Sequence, residues 1–195
     1  MQQEGFTIWI TGLPGAGKSS LAGAVAAALS GRGFAVEVID SGKLRASLLG
    51  NALGFSRHER HTNNLQHAFA AKMLSRNGVI PVVAAVSPYR ATRRAIREAL
   101  GTFVEVHAAT EKAVCIDRDT KGLWARALAG EVQSFTGVDD PYEAPQEPEV
   151  RLDLGTLSPQ EGAAEVLRAL ETLGYLARRP DAEDPPDIDA IASQL

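Results

Sequence analysis

The sequence predicts an α/β fold: a doubly wound, mainly parallel sheet with helices on both faces. Three observations carry that prediction. Strand-like apolar runs alternate along the chain with stretches of helical periodicity. One run, Val79-Ile80-Pro81-Val82-Val83-Ala84-Ala85-Val86, is apolar throughout rather than at every second position, as a strand covered on both faces must be. The third is Gly12-Leu13-Pro14-Gly15-Ala16-Gly17-Lys18-Ser19, set between the first strand and the first helix.

That stretch reads G-x-x-x-x-G-K-S, the loop of P-loop nucleoside triphosphatases and kinases. Glycines let successive backbone N–H groups curl around phosphate oxygens, Lys18 reaches the β- and γ-phosphates, and the Ser19 hydroxyl ligates Mg²⁺. The helix that starts here adds its positive N-terminal end. Gly12, Leu13, Pro14, Gly15, Ala16, Gly17, Lys18, Ser19 and Ser20 are therefore assigned to the ATP phosphates, with Lys18 also catalytic.

The elements follow in order. Phe6 to Thr11 is the first strand and Leu21 to Leu29 lies in the first helix. Gly31-Arg32-Gly33 turns the chain into a second strand, Phe34 to Ile39, which ends on Asp40. Leu65, Phe69 and Met73 recur at helical spacing, and Gly78 stops that helix before the apolar run, where Pro81 is tolerable near the strand start. Ala91 to Leu100 reads as a basic helix, Phe103 to Val106 as a strand and Glu111 to Arg118 as a helix. Asp119 to Pro148 shows weak periodicity and three prolines, the mark of a lid or binding loop. Val150 to Leu154 forms a last short strand, and Ser158-Pro159-Gln160-Glu161 is a capping box that opens a helix to about Leu173.

Composition bounds the partners. A chain of 195 residues, 45% hydrophobic, suffices for one core, so residues 1–178 are assigned to one domain and residues 179–195 to an acidic, disordered tail. The formal net charge is −4, and Asp181, Glu183, Asp184, Asp187 and Asp189 account for that excess, leaving a nearly neutral body. A nucleic-acid face is not expected from such a balance, nor is a membrane span, since nothing approaches 18 unbroken apolar residues. One cysteine, Cys115, excludes an intrachain disulfide and reads as a small buried hydrophobe, and with no leader in evidence the cytoplasm is the expected compartment.

In a doubly wound sheet, ligands sit at the carboxyl ends of the strands. Asp40 ends the second strand and is a candidate base and Mg²⁺ holder, or simply the cap of a helix near Lys43. Ser87-Pro88-Tyr89-Arg90 follows the third strand, and Arg45 and Arg90 are candidates for an anionic acceptor. Arg57, His58, Arg60 and His61 cluster beside Phe55. His58, His61 and His67 lack metal-ligand spacing and are expected to be solvated.

Longer stretches resemble the adenylylsulfate (APS) kinase family, P-loop kinases that use MgATP to phosphorylate the 3′-hydroxyl of adenosine 5′-phosphosulfate. The resemblance runs from about Thr7 to Asp153 and rests on the phosphate loop, Leu53-Gly54-Phe55-Ser56, Val86-Ser87-Pro88-Tyr89-Arg90, Arg118-Asp119-Thr120-Lys121-Gly122-Leu123 and Phe135-Thr136-Gly137-Val138-Asp139-Asp140-Pro141-Tyr142-Glu143-Ala144-Pro145. It implies that Phe55 and Phe135 sandwich the acceptor adenine, that Arg45, Asn63 and Lys121 lie near the acceptor, that Ser87 holds the position of a phosphoserine intermediate, and that the protein is a homodimer. The sequence departs from the family at Gly42, where the pattern has aspartate, at Leu65 and Gln66, where it has two arginines, and at Leu128, where it has one more. A phosphate-directed arginine can be worth several powers of ten in rate. Two further readings stay open beside the APS kinase: a kinase of this architecture for another nucleotide or a small alcohol, and a non-catalytic, nucleotide-binding regulatory protein.

Overall fold

A computed structural model describes residues 5–45 and 54–177. Five strands form one sheet in the order β2-β3-β1-β4-β5, with β1 Thr7–Gly12, β2 Val36–Asp40, β3 Ile80–Ala84, β4 Phe103–Ala108 and β5 Val150–Leu152. All four pairings are parallel. The crossover helices are α1 Lys18–Ser30, α3 Arg57–Ser75 and α4 Arg90–Leu100, with short α2 Ser41–Leu44, α5 Lys112–Asp117 and α6 Leu123–Leu128 in the connections, and α7 Pro159–Thr172 follows β5. The order steps from β1 to β3 on one side and to β4 on the other, so the phosphate loop after β1 sits at the switch point.

Strand alternation divides the core in two. Ile8 and Ile10 of β1, Val82 and Ala84 of β3, and Val104 and Val106 of β4 face α1 and α7 and pack with Leu21, Val25, Leu29, Val166 and Leu170. Trp9, Val83 and Phe103 face the other way and meet Ala68 and Ala71 of α3 and Ile96 of α4. Capping boxes start α3 (Ser56 with Glu59) and α7 (Ser158 with Glu161), as the sequence predicts for the second.

Two readings of the chain are corrected, and the inward face of α3 is not the one its apolar stripe marks. The stretch from Asp119 to Pro148 contains a helix, α6, whose first turn is nucleated by the Asp119 carboxylate accepting from the N–H groups of Leu123, Trp124 and Ala125. In α3 the Leu65-Phe69-Met73 stripe that marks the helix points outward, with Phe69 70% exposed. The buried face is instead Arg60, Asn63, Asn64, His67, Ala68 and Ala71. His67 is accordingly buried rather than solvated, and burial holds its pKa below the usual histidine value. His61 is half-buried with its Nδ1 2.9 Å from the Thr92 hydroxyl, and only His58 is exposed as expected. The acidic tail lies outside the described residues.

Candidate active site

The phosphate loop is held from outside, and within it the Ala16 N–H donates to Leu13 O at 3.1 Å. Gly17, at φ 89°, precedes α1 with no side-chain cap, which leaves the first N–H groups of the helix open to an anion. Gly15 has φ 79°, and a Cβ there would lie 2.8 Å from the Cys115 carbonyl oxygen, so no other residue fits. The indole Nε1 of Trp124 donates to Pro14 O at 3.0 Å and the Thr110 hydroxyl to Ala16 O at 3.0 Å, fixing the loop to α6 and to the end of β4. Cys115 is fully buried under the loop, and burial raises its thiol pKa.

Lys18 folds back, donating to Gly12 O at 3.0 Å and Leu13 O at 2.7 Å. Desolvation pulls its pKa down to about 8, against the upward pull of the Cys115 thiol and the Asp40 carboxylate. Asp40, 7% exposed at the end of β2, caps α2 with one oxygen: Oδ1 accepts from Gly42 N at 2.9 Å and Lys43 N at 3.2 Å. Its other oxygen accepts no hydrogen bond among the described residues.

Two cavities open from this point. One, of about 320 Å³, runs from the loop over Ser20 to Arg118, Asp119, Thr120 and Trp124. The other, of about 340 Å³, is lined by Asp40, Gly42, Arg45, Phe55, Arg60, Asn63, Asn64, Ser87 and Phe135. They share Pro14, Lys18, Ser19, Lys121 and Leu123, so a lysine, a hydroxyl and a second lysine stand where the two meet. Asp40 is the only carboxylate lining the second cavity among the described residues. The Arg45 guanidinium lies 4.4 Å from the Phe55 ring centroid and that of Arg60 5.2 Å, while Phe135 rests edge-on against Trp124, centroids 5.0 Å apart. Asn63 reaches from α3 to the Ser41 hydroxyl at 3.3 Å.

The predicted site residues converge except Arg90 and, within the loop itself, Gly12, Leu13 and Ala16, which line neither cavity. Arg90 does not line either cavity: its backbone N–H donates to Glu143 and its Nε to Ala144 O, and it borders a separate groove with Arg94 and Glu147. The reason is its place as the first residue of α4, which turns it away from the strand ends. Ser87 is 1% exposed at φ 44°, and its hydroxyl donates to Asn64 Oδ1 at 2.7 Å and accepts from Trp9 Nε1 at 2.9 Å. Leu65, Gln66 and Leu128 are exposed and line neither cavity, so the substitutions there do not strip the second cavity of charge; Arg45, Arg60 and Lys121 remain. Sequence reasoning missed Arg60, Asn64 and Trp124. The first two had a signal: Arg60, Asn63, Asn64 and His67 recur at i, i+3, i+4 and i+7, a polar face at helical period.

A phosphate loop at the switch point of a parallel sheet, with a donor-sized cavity on one side and a second cavity meeting it at the loop lysine, defines a P-loop kinase. The comparisons narrow the class. The model of the adenylylsulphate kinase family matches residues 4–153. The adenylyl-sulfate kinase of Rippkaea orientalis is 48% identical over 180 residues, which cover 91% of this chain and 98% of that one. Among solved structures, the Mycobacterium tuberculosis APS kinase CysC in complex with AMPPNP and APS superposes with a TM-score of 0.80 at 40% identity, covering 86% of this chain and 98% of that one. A hexameric APS kinase from Thiobacillus denitrificans matches with a TM-score of 0.66 at 36% identity over 90% of this chain and 30% of its own. The chain belongs to the adenylylsulphate kinase family, and it is an ATP-dependent kinase. No helix among the described residues is long and apolar enough to cross a membrane.

Proposed function

We propose that the protein transfers the γ-phosphoryl group of MgATP to the 3′-hydroxyl of adenosine 5′-phosphosulfate, giving ADP and 3′-phosphoadenosine 5′-phosphosulfate. The observation that carries this reading is the junction of the two cavities at Lys18 and Ser19, with Asp40 beside it and two aromatic side chains in the acceptor cavity. Phosphoryl transfer asks for positioning and charge neutralisation in a line from donor to acceptor. Lys18 leaves its loop carbonyls for the β- and γ-phosphates, and the free N–H groups of the loop and of α1 hold the remaining oxygens. Phe55 and Phe135 take the acceptor adenine, and Arg45, Asn63 and Lys121 orient its ribose and anionic end. The free oxygen of Asp40 receives the proton of the attacking hydroxyl. Ser87 acts by position: its hydroxyl, donating to Asn64 and accepting from Trp9, pins the loop after β3 to α3.

The donor set suits Mg²⁺, which takes one or two protein oxygens and completes its shell with phosphate and water. The Ser19 hydroxyl would hold it directly and Asp40 through a water, which leaves the unengaged Asp40 oxygen open to the hydroxyl proton. When bound, it neutralises the charge that develops on the β- and γ-oxygens. The outward apolar stripe of α3, Leu65, Phe69 and Met73, supports a homodimer, which light scattering of the wild type and of Phe69→Glu would test. The single buried thiol suits the cytoplasm.

The deciding experiment is ADP release from MgATP against a panel of acceptors that includes adenosine 5′-phosphosulfate. Turnover that depends on that acceptor and disappears in Asp40→Asn supports the reading. Faster turnover with another nucleotide or a small alcohol would reassign the acceptor, and Gly42 is the position to examine then. Among the described residues a Cβ there meets only Asp40 Oδ1, at 3.3 Å, so Gly42→Asp is sterically feasible.

A further inference from the structure

One buried side chain, Trp124 of α6, touches both the phosphate loop and the segment that carries Phe135. Its Nε1 donates to Pro14 O at 3.0 Å, while its ring stands at 71° to that of Phe135. The indole atom Cη2 lies so close to Gly137 that a Cβ there would come within 2.7 Å of it, and the same Cβ would lie 3.1 Å from Leu13 Cδ2. Gly137 also has φ 98°, so conformation and space both require glycine. The indole has little freedom of its own, because the Trp124 N–H donates to Asp119 at 2.7 Å and Lys112 Nζ sits 5.7 Å from the ring centroid. The turn it touches is closed by internal bonds, from Gly137 N to Asp140 O at 2.7 Å and from Val138 N and Asp140 N to Phe135 O at 3.0 and 3.2 Å. A push on Gly137 therefore reaches Phe135.

Leu13 makes this contact sensitive to the donor. In the free protein its carbonyl accepts from Lys18 at 2.7 Å, and its side chain is one of the two groups against Gly137. Phosphates that draw Lys18 away take a partner from that carbonyl, and a close-packed block has no slack in which the loop could readjust alone. We propose that Trp124 is a positioning residue that couples the two cavities, so that a triphosphate at the loop and a nucleotide in the second cavity each tighten the binding of the other. The sign follows from shared ordering: whichever ligand arrives first fixes the indole between loop and turn, and the second finds it fixed. The inference rests on the reading of the two cavities as donor and acceptor sites.

The test measures, by calorimetry, the affinity for adenosine 5′-phosphosulfate with and without the non-hydrolysable donor AMPPNP, and the affinity for AMPPNP with and without adenosine 5′-phosphosulfate. The wild type, Trp124→Phe and Phe135→Leu are compared, with melting temperatures. In the wild type the two ratios must agree, since coupling is reciprocal, and each should be about fivefold or more. Trp124→Phe keeps an aromatic ring and loses the bond to Pro14, and both ratios should fall below about twofold. The ratio is the readout because a merely structural loss lowers both affinities and leaves it unchanged. An undiminished ratio in Trp124→Phe overturns the inference, and so does a wild-type ratio of one. If Trp124→Phe does not fold, Phe135→Leu, which keeps bulk without an aromatic ring, must lower the ratio in the same way, and an undiminished ratio there overturns the inference equally. A wild type that binds AMPPNP but not adenosine 5′-phosphosulfate, in either order of addition, would instead defeat the parent reading before any variant is made.

Discussion

The two faces of the sheet solve the same packing problem in opposite ways. On the α1 and α7 side the inward residues of β1, β3 and β4 are Ile8, Ile10, Val82, Val104 and Val106, and the helices return leucine, valine and alanine. On the α3 and α4 side β4 presents Phe103, Glu105 and His107, and the helices return Arg93, Asn64 and His67, all buried. There Arg93 Nε donates to Glu105 at 2.7 Å and its other nitrogens to the carbonyls of Ser87 and Glu143, while Arg97 pairs with Glu149 at 2.6 Å. The apolar face gains stability from area alone. The polar face spends part of its area on directional bonds that hold the Ser87 loop and the segment that follows Phe135.

The sharpest way to break this contrast is at the loop that joins the halves. Lys18→Ala should lower phosphoryl transfer by about three powers of ten or more while the melting temperature holds, since a charge at the phosphates is lost and no core contact is. Transfer and thermal unfolding measured on the same preparation check it. Next come two truncations, one per face. Glu105→Ala leaves the Arg93 charge buried without its partner and should cost about 3 to 5 kcal/mol, against about 2 to 5 kcal/mol for Leu21→Ala, where a fully buried leucine leaves a cavity. Denaturant titration gives both, and only Glu105→Ala should also weaken acceptor binding. A loss of acceptor affinity in Leu21→Ala of equal size would show that the faces are not specialised.

Within the acceptor half, Phe55→Ala and Phe135→Ala should each weaken acceptor binding by about 1 to 3 kcal/mol, as for bases stacked on aromatic side chains, with ATP binding changed less. The smallest effect is one of pH. Lys18 in the free protein titrates near 8, and phosphate binds the charged form. Below that pH the ammonium is already in place. Above it, binding must first take up a proton, so ATP affinity should fall by up to about tenfold per pH unit until the usual lysine range is reached. The same depressed pKa makes the free fold gain stability over that window, because the unfolded chain holds the proton longer. Calorimetry in buffers of different ionisation enthalpy would register the proton uptake.

The apolar face and the donor site were readable because their information is local. The G-x-x-x-x-G-K-S spacing, the fully apolar β3 and the capping box of α7 each lie within a few residues. The polar face was readable only as resemblance. In α3 the apolar stripe marks the helix correctly but not its inward side, because Arg60, Asn63, Asn64 and His67 find partners or burial that only the folded sheet supplies. Helix α6 escaped notice for a related reason: six residues give too little periodicity, and its start depends on the Asp119 carboxylate and on Trp124 finding the Pro14 carbonyl. Arg90 was placed with the site by proximity in sequence to Ser87, and its position as the first residue of α4 carries it elsewhere.

The chain has two tryptophans, and the fold has put one on each side. Trp9 is bonded to the Ser87 hydroxyl, while Trp124 is bonded to the phosphate loop and touches the ring of Phe135. Both are buried, so each emits from a dry, fixed environment that changes when its own neighbours move. The protein thus carries two optical reporters in different surroundings. In Trp9→Phe the remaining fluorescence follows the phosphate loop together with the Phe135 ring, and in Trp124→Phe it follows the Ser87 loop, without any added label.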